Sequence, residues 1–217
     1  MRNDVHFWIA TLSRAFVALV FGSAVIAIPD LAKLLLLRPF AIAVSVLFLA
    51  TYGLLDSAIV FVTSFMADSP RARLALRVQG CLGTAIAVFL LTIAFERARL
   101  QWFLYFVACQ ALVTGIGEGI VARHRRFSGA SGWNHAAASI AITAAVLYGS
   151  LGLFYTAFLT ASEIAWLLFA YLAAFGMAEC LTSARMLYAD RQLAVRLAGH
   201  QLQEERHHVA IGTSHIA

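Results

Sequence analysis

Six long apolar blocks dominate this chain and leave it few ways to fold. They run roughly from Trp8 to Ile28, Phe40 to Phe65, Val78 to Phe95, Trp102 to Val121, Asn134 to Phe154 and Ile164 to Met186. A helix that crosses the hydrocarbon core of a bilayer needs about 20 consecutive apolar residues, and each block is close to that length. The blocks lack the apolar/polar alternation of barrel strands, which favours helices. Composition agrees: of 217 residues, 62% are hydrophobic and 12% are charged, with a mean hydropathy of +0.83. A soluble domain carries about 25% charged residues and could not hide this much apolar surface from water. The expected fold is all-α: a polytopic membrane protein whose residues 1–188 form a six-helix transmembrane domain, with a polar tail at 189–217.

The connectors supply punctuation and orientation. Pro29-Asp30 is expected to end the first span, Arg38-Pro39 to open the second and Asp68-Ser69-Pro70 to close it. Leu31–Leu37 is too short to span and is read as an interfacial segment or short helix. Ser128–Gly132 reads as a small loop. Arg191–Arg206 reads as an amphipathic continuation of the last helix, with frayed residues beyond it. Eleven basic residues fall on the side of the two termini: Arg2, Arg71, Arg73, Arg77, Arg123, Arg125, Arg126, Arg185, Arg191, Arg196 and Arg206. Four fall on the other side: Lys33, Arg38, Arg97 and Arg99. The positive-inside rule then puts both termini in the cytoplasm. The same rule accounts for the net charge of +5 without nucleic acid as a partner. Trp8, Trp102, Trp133 and Trp166 sit at or near span starts, where indole rings favour the headgroup level. Ala24 and Ala27 faintly suggest a signal-peptide cleavage site, but Arg14 interrupts the block and its features recur downstream, so the first block reads as a retained helix.

The blocks also repeat. The segments ATYGLLDSAIV near the end of span two, ACQALVTGIGEGIV in span four and AYLAAFGMAECL in span six align through Tyr52, Gln110 and Tyr171. In the odd spans Phe21–Ala24 matches Leu82–Ala85. This reads as three tandem two-helix repeats of similar orientation, at about 8–65, 74–126 and 133–188. The first unit carries Arg14, Phe21-Gly22, Pro29, Tyr52, Leu54 and Asp56, with Ser57 where a glycine is expected. In these residues the chain resembles the HdeD family of bacterial acid-resistance membrane proteins, over roughly residues 8–188. The second and third units lack the Asp and the outer-turn Pro. The resemblance implies three two-helix units in the bacterial inner membrane, linked to acid or envelope stress. It implies no substrate.

Ionisable groups inside a span cost roughly 2.5–3.5 kcal/mol each at mid-bilayer on insertion scales, so those present need a reason. Each unit pairs a basic or potentially basic residue near its cytoplasmic start with an acid near its end: Arg14 with Asp56, Arg77 with Glu118, and His135 with Glu179. These six form a candidate polar belt at one depth. The simpler reading is mutual compensation that fixes helix register; the alternative is a proton or ion relay with Asp56 as its main titrating group. Gly22, Gly83, Gly115 and Gly119 are candidates for close helix packing, Gly115 and Gly119 as a GxxxG step that also suits a homodimer face. Cys81, Cys109 and Cys180 lie in apolar blocks without CxxC spacing and read as small packing residues. His200, His207, His208 and His215 read as part of a solvated tail; the alternative for His200 with His207 or His208 is metal binding or pH sensing.

No P-loop, dinucleotide fingerprint, HExxH or GxSxG pattern is present. The sequence thus points to a non-enzymatic membrane protein without cofactor or metal. Its partners are the lipid bilayer and, by helix association, a further copy or another membrane protein. A small transporter or channel using Arg14, Asp56 and Glu118 is the alternative function.

Overall fold

The computed structural model describes residues 4–34, 41–67, 69–96, 100–124, 131–155 and 159–214. They form six α-helices: α1 (Asp4–Leu34), α2 (Ala41–Ser64), α3 (Pro70–Glu96), α4 (Leu100–His124), α5 (Ser131–Phe154) and α6 (Ala161–Ser214). No strand occurs among the described residues. All six helices contain a stretch long and apolar enough to cross a membrane, the make-up of a multi-pass membrane protein. The outer surface suits that setting. Phe16, Leu47, Val62, Phe89, Val146 and Met177 are all exposed, and a soluble monomer rarely shows apolar area on this scale.

Helix ends follow local chemistry. The Oγ of Ser69 accepts from the backbone N–H of Ala72 at 3.4 Å, and Pro70 takes the first helical position of α3, where its missing N–H costs nothing. α6 opens with a capping box. The backbone N–H and hydroxyl of Thr160 each donate to Oε2 of Glu163 at 2.8 Å, and the Glu163 N–H donates back to Thr160 at 3.3 Å.

Several expected boundaries differ. α1 runs through Pro29 and on to Leu34, so the proline closes the apolar window but not the helix. One lost backbone hydrogen bond near a helix end is tolerated when the chain has no better partner for the freed groups. The rest of the segment expected at the interface, with Arg38-Pro39, lies outside the described residues, as does Asp68. α3 starts eight residues before the apolar block, at Pro70. Ser131 and Gly132, expected in a loop, are the first residues of α5, while 128–130 are not described. α6 continues to Ser214 without a break, past the point where fraying was expected.

The helices form a closed ring in chain order: each packs on the next, and α6 closes on α1. The most extensive interfaces are α6–α1, α4–α5 and α2–α3. The pairs α1–α2, α3–α4 and α5–α6 meet less extensively. α2, α4 and α6 are the more buried set, with α2 and α4 also in contact across the middle. The inward face of α1 (Phe7, Thr11, Arg14, Ala18 and Val25) follows helical spacing.

Small residues set the closest crossings. A methyl group added at Gly115 would lie 2.7 Å from Cγ1 of Ile142 and 3.1 Å from the carbonyl oxygen of Ala138. At Gly176 it would lie 2.9 Å from Cγ of Leu19 and 3.1 Å from the carbonyl of Ala15. The expected packing glycines divide on this measure. Gly22 meets Cβ of Leu172 at 3.0 Å and Gly83 meets the Ser57 hydroxyl, but Gly119 has nothing nearer than 3.9 Å. The Gly115 half of the GxxxG step therefore faces α5 of its own chain. Cys81 and Cys109 are exposed on the outer surface rather than packed inside, and all three cysteines are free. In an apolar solvent the outer face accepts a small apolar residue as readily as the core does.

Candidate functional site

The bundle interior is divided. A large apolar cluster, including Ala18, Leu49, Leu104, Tyr148, Leu172 and Phe175, fills the half of the bundle far from the termini. A smaller one of Phe7, Val60, Ala67, Leu76, Val121 and Met186 fills the half near the termini. Between them sit Arg14 from α1, Asp56 from α2, Glu118 from α4 and Glu179 from α6. Each of these residues exposes 5% or less of its surface.

Arg14 is the hub. Its Nε donates to Oδ1 of Asp56 at 2.8 Å. Its Nη1 donates to Oε1 of Glu118 and lies 3.8 Å from Oε1 of Glu179. Its guanidinium also sits 5.6 Å from the ring centre of Phe175, one turn before Glu179 on α6, an arrangement that adds cation–π attraction. A flat guanidinium with five donors can serve several carboxylates at once, which a lysine ammonium does less well. Helical periodicity aims the acids inward. Glu118 follows Leu104, Val107, Ala111 and Thr114 on the buried stripe of α4, and Glu179 follows Leu168, Leu172 and Phe175 on that of α6.

Of the six residues expected in the polar belt, the structure brings four together. The expected partners Arg77 for Glu118 and His135 for Glu179 are elsewhere. Arg77 is exposed, with its guanidinium 5.0 Å from the ring centre of Phe65, and His135 is exposed near the start of α5. Both lie close to a helix start, where the side chain reaches the polar boundary at little cost. Arg14, deeper in its span, has no such exit. One base therefore serves all three acids.

A cavity of about 10 Å³ adjoins the cluster, walled by Thr11, Arg14, Thr63, Glu118, Asn134 and Glu179 among others. It is about the size of one water molecule. Thr11 and Thr63 direct their hydroxyl protons to the carbonyls of Phe7 and Ile59 at 3.1 and 2.6 Å. Their oxygen lone pairs remain free to accept. Near the same end, the Ser183 hydroxyl crosses from α6 to the carbonyl of Trp8 on α1 at 2.8 Å. Asn134, Thr182, Ser183 and Gln79 are buried polar residues that sequence reasoning did not single out. The signal for Gln79 was available, an amide inside an apolar run. No group of three or more His, Cys, Asp or Glu suited to a metal ion occurs among the described residues.

No protein-family model, curated protein or solved structure matches the chain.

Proposed function

We propose that this chain is a non-enzymatic protein of the bacterial inner membrane, resembling the HdeD family, with both termini in the cytoplasm and a part in envelope or acid-stress protection. In this reading the Arg14 cluster holds α1, α2, α4 and α6 in register and conducts nothing. The observation that supports it is the sealing of the cluster. Its four residues are buried, Asp56 and Glu118 accept hydrogen bonds from Arg14, apolar clusters lie on either side, and the adjoining space is about 10 Å³. A conducting pathway needs a continuous polar lining, and here Phe175, Leu172 and Leu104 stand where it would run. Removing one member of a buried charge set costs about 3–5 kcal/mol, which suits a register lock.

One observation favours the alternative of a small transporter or channel: three carboxyls face a single guanidinium, an imbalance that proton carriers use. The two readings part in proteoliposomes under an imposed pH step. A structural bundle gives no proton flux above empty vesicles, in the wild type or in Asp56→Asn. Flux in the wild type that disappears in Asp56→Asn would replace the structural reading with a conducting one.

A further inference from the structure

The charge count at the cluster does not close. Asp56, Glu118 and Glu179 face one Arg14, so full ionisation leaves a formal charge of −2 between two apolar layers. The three acids are not equivalent. Asp56 and Glu118 each accept a hydrogen bond from Arg14. Glu179 differs: its Oε1 stays 3.8 Å from Nη1, beyond hydrogen-bond reach, and has no hydrogen-bond partner, although the residue is only 2% exposed. Nη2 of Arg14 is likewise buried without a partner. A buried carboxylate without a hydrogen-bonded counter-charge neutralises rather than stay ionised.

We propose that Glu179 is a proton-binding site, uncharged at neutral pH, joined to Nη2 of Arg14 by one water in the cavity between Thr11, Thr63 and Asn134. The water accepts from Arg14 and donates to the carbonyl oxygen of the Glu179 acid, so both orphaned atoms gain partners. The cavity has room for one water and offers the polar neighbours that a buried water needs. Proton uptake converts the Glu179 carboxylate to the acid and involves no other bond.

Titratable groups face Glu179 from four helices. Arg14 comes from α1, Asp56 and the phenol of Tyr52 from α2, Glu118 from α4, and Tyr171 from α6 itself. α3 and α5 present only Leu76 and Asn134 to the cavity. The cavity lies on the terminal side of the cluster: Thr11 is one turn nearer the N-terminus than Arg14, Thr63 is near the C-terminal end of α2 and Asn134 is near the start of α5, and Phe7, Val60 and Leu76 of the smaller apolar cluster wall it there. The large apolar cluster closes the opposite side. Protonation of Glu179 is read by the infrared band below and conduction by the flux experiment, so the two can fail separately.

Infrared spectroscopy of the full chain in lipid vesicles at pH 7 tests this. The wild type should show the carbonyl band of one protonated, buried carboxylic acid. The band should shift with ¹³C-glutamate but not with ¹³C-aspartate. It should vanish in Glu179→Gln, persist in the exposed Glu163→Gln and ignore added NaCl. Four results would overturn the proposal: no such band in the wild type, a shift with labelled aspartate, a band that survives Glu179→Gln, or a band removed by Na⁺, which would make the cavity a sodium site. Glutamine stands in for the neutral acid, so a Glu179→Gln chain that cannot fold would also count against a neutral Glu179. The labelled wild-type spectra need no variant.

Discussion

Nε of Arg14 on α1 lies 2.8 Å from Oδ1 of Asp56 on α2, across 42 residues of chain, inside a bundle whose outer surface is apolar. The same guanidinium reaches Glu118, 104 residues away, and approaches Glu179 on the helix that closes the ring. One side chain thus ties α1 to each of the more buried helices α2, α4 and α6.

Arg14→Met should therefore destabilise the bundle by about 3–5 kcal/mol, because it strands three buried carboxyls. Arg14→Lys should recover only part of this, since an ammonium lacks the planar fork that serves Asp56 and Glu118 together. Thermal unfolding in detergent, followed by circular dichroism, measures both. A melting temperature unchanged in Arg14→Met would show that the cluster does not hold the fold.

The two glycines of the GxxxG step should behave differently. Gly115→Ala drives a methyl to within 2.7 Å of Ile142 and 3.1 Å of the Ala138 carbonyl, an overpacking that costs about 1–3 kcal/mol. Gly119→Ala meets nothing nearer than 3.9 Å and should be neutral or gain up to about 1 kcal/mol from helix propensity. Equal losses at both sites would mean that the step packs against something other than α5.

Arg77→Ala and His135→Ala should each change stability by no more than about 1 kcal/mol, the range for an exposed cation–π contact or a surface substitution. A loss comparable with that of Arg14→Met in either variant would return that residue to the cluster.

A neutral Glu179 also fixes the sign of one pH effect. Unfolding carries the side chain into water, where a carboxyl is ionised at neutral pH, so the proton held in the bundle is released. The folded state then binds more protons than the unfolded one, and stability falls as pH rises, by up to about 1.4 kcal/mol per unit for one proton. Between about pH 5 and 7 the wild type should lose stability relative to Glu179→Gln. Parallel pH profiles for the two chains would contradict the assignment.

The spans were legible because each helix must meet the bilayer with a continuous apolar run, and such a run is a local property. Arg14, Asp56, Glu118 and Glu179 stood out for the same reason, as charges in segments that exclude them. Their pairing was not local. It depends on α6 closing against α1, so reading partners within each two-span unit assigned Arg77 and His135 to acids that Arg14 serves. In the relay alternative Asp56 is the expected proton carrier; in the structure it accepts a hydrogen bond from Arg14, while Oε1 of Glu179 has no hydrogen-bond partner. Buried Asn134 and Gln79 escaped notice because a neutral amide costs less to bury than a charge and raises less alarm in a sequence.

The central claim is that Arg14 is the shared counter-ion of one structural cluster. It is tested most directly by neutralising the whole set. If the claim holds, Arg14→Met alone loses most of its folded yield and thermal stability. The quadruple variant Arg14→Met, Asp56→Asn, Glu118→Gln, Glu179→Gln should recover both, because removing a complete buried charge set is far less costly than removing one member. A quadruple variant that melts no higher than Arg14→Met would contradict the account and return the four residues to a role beyond holding the helices together.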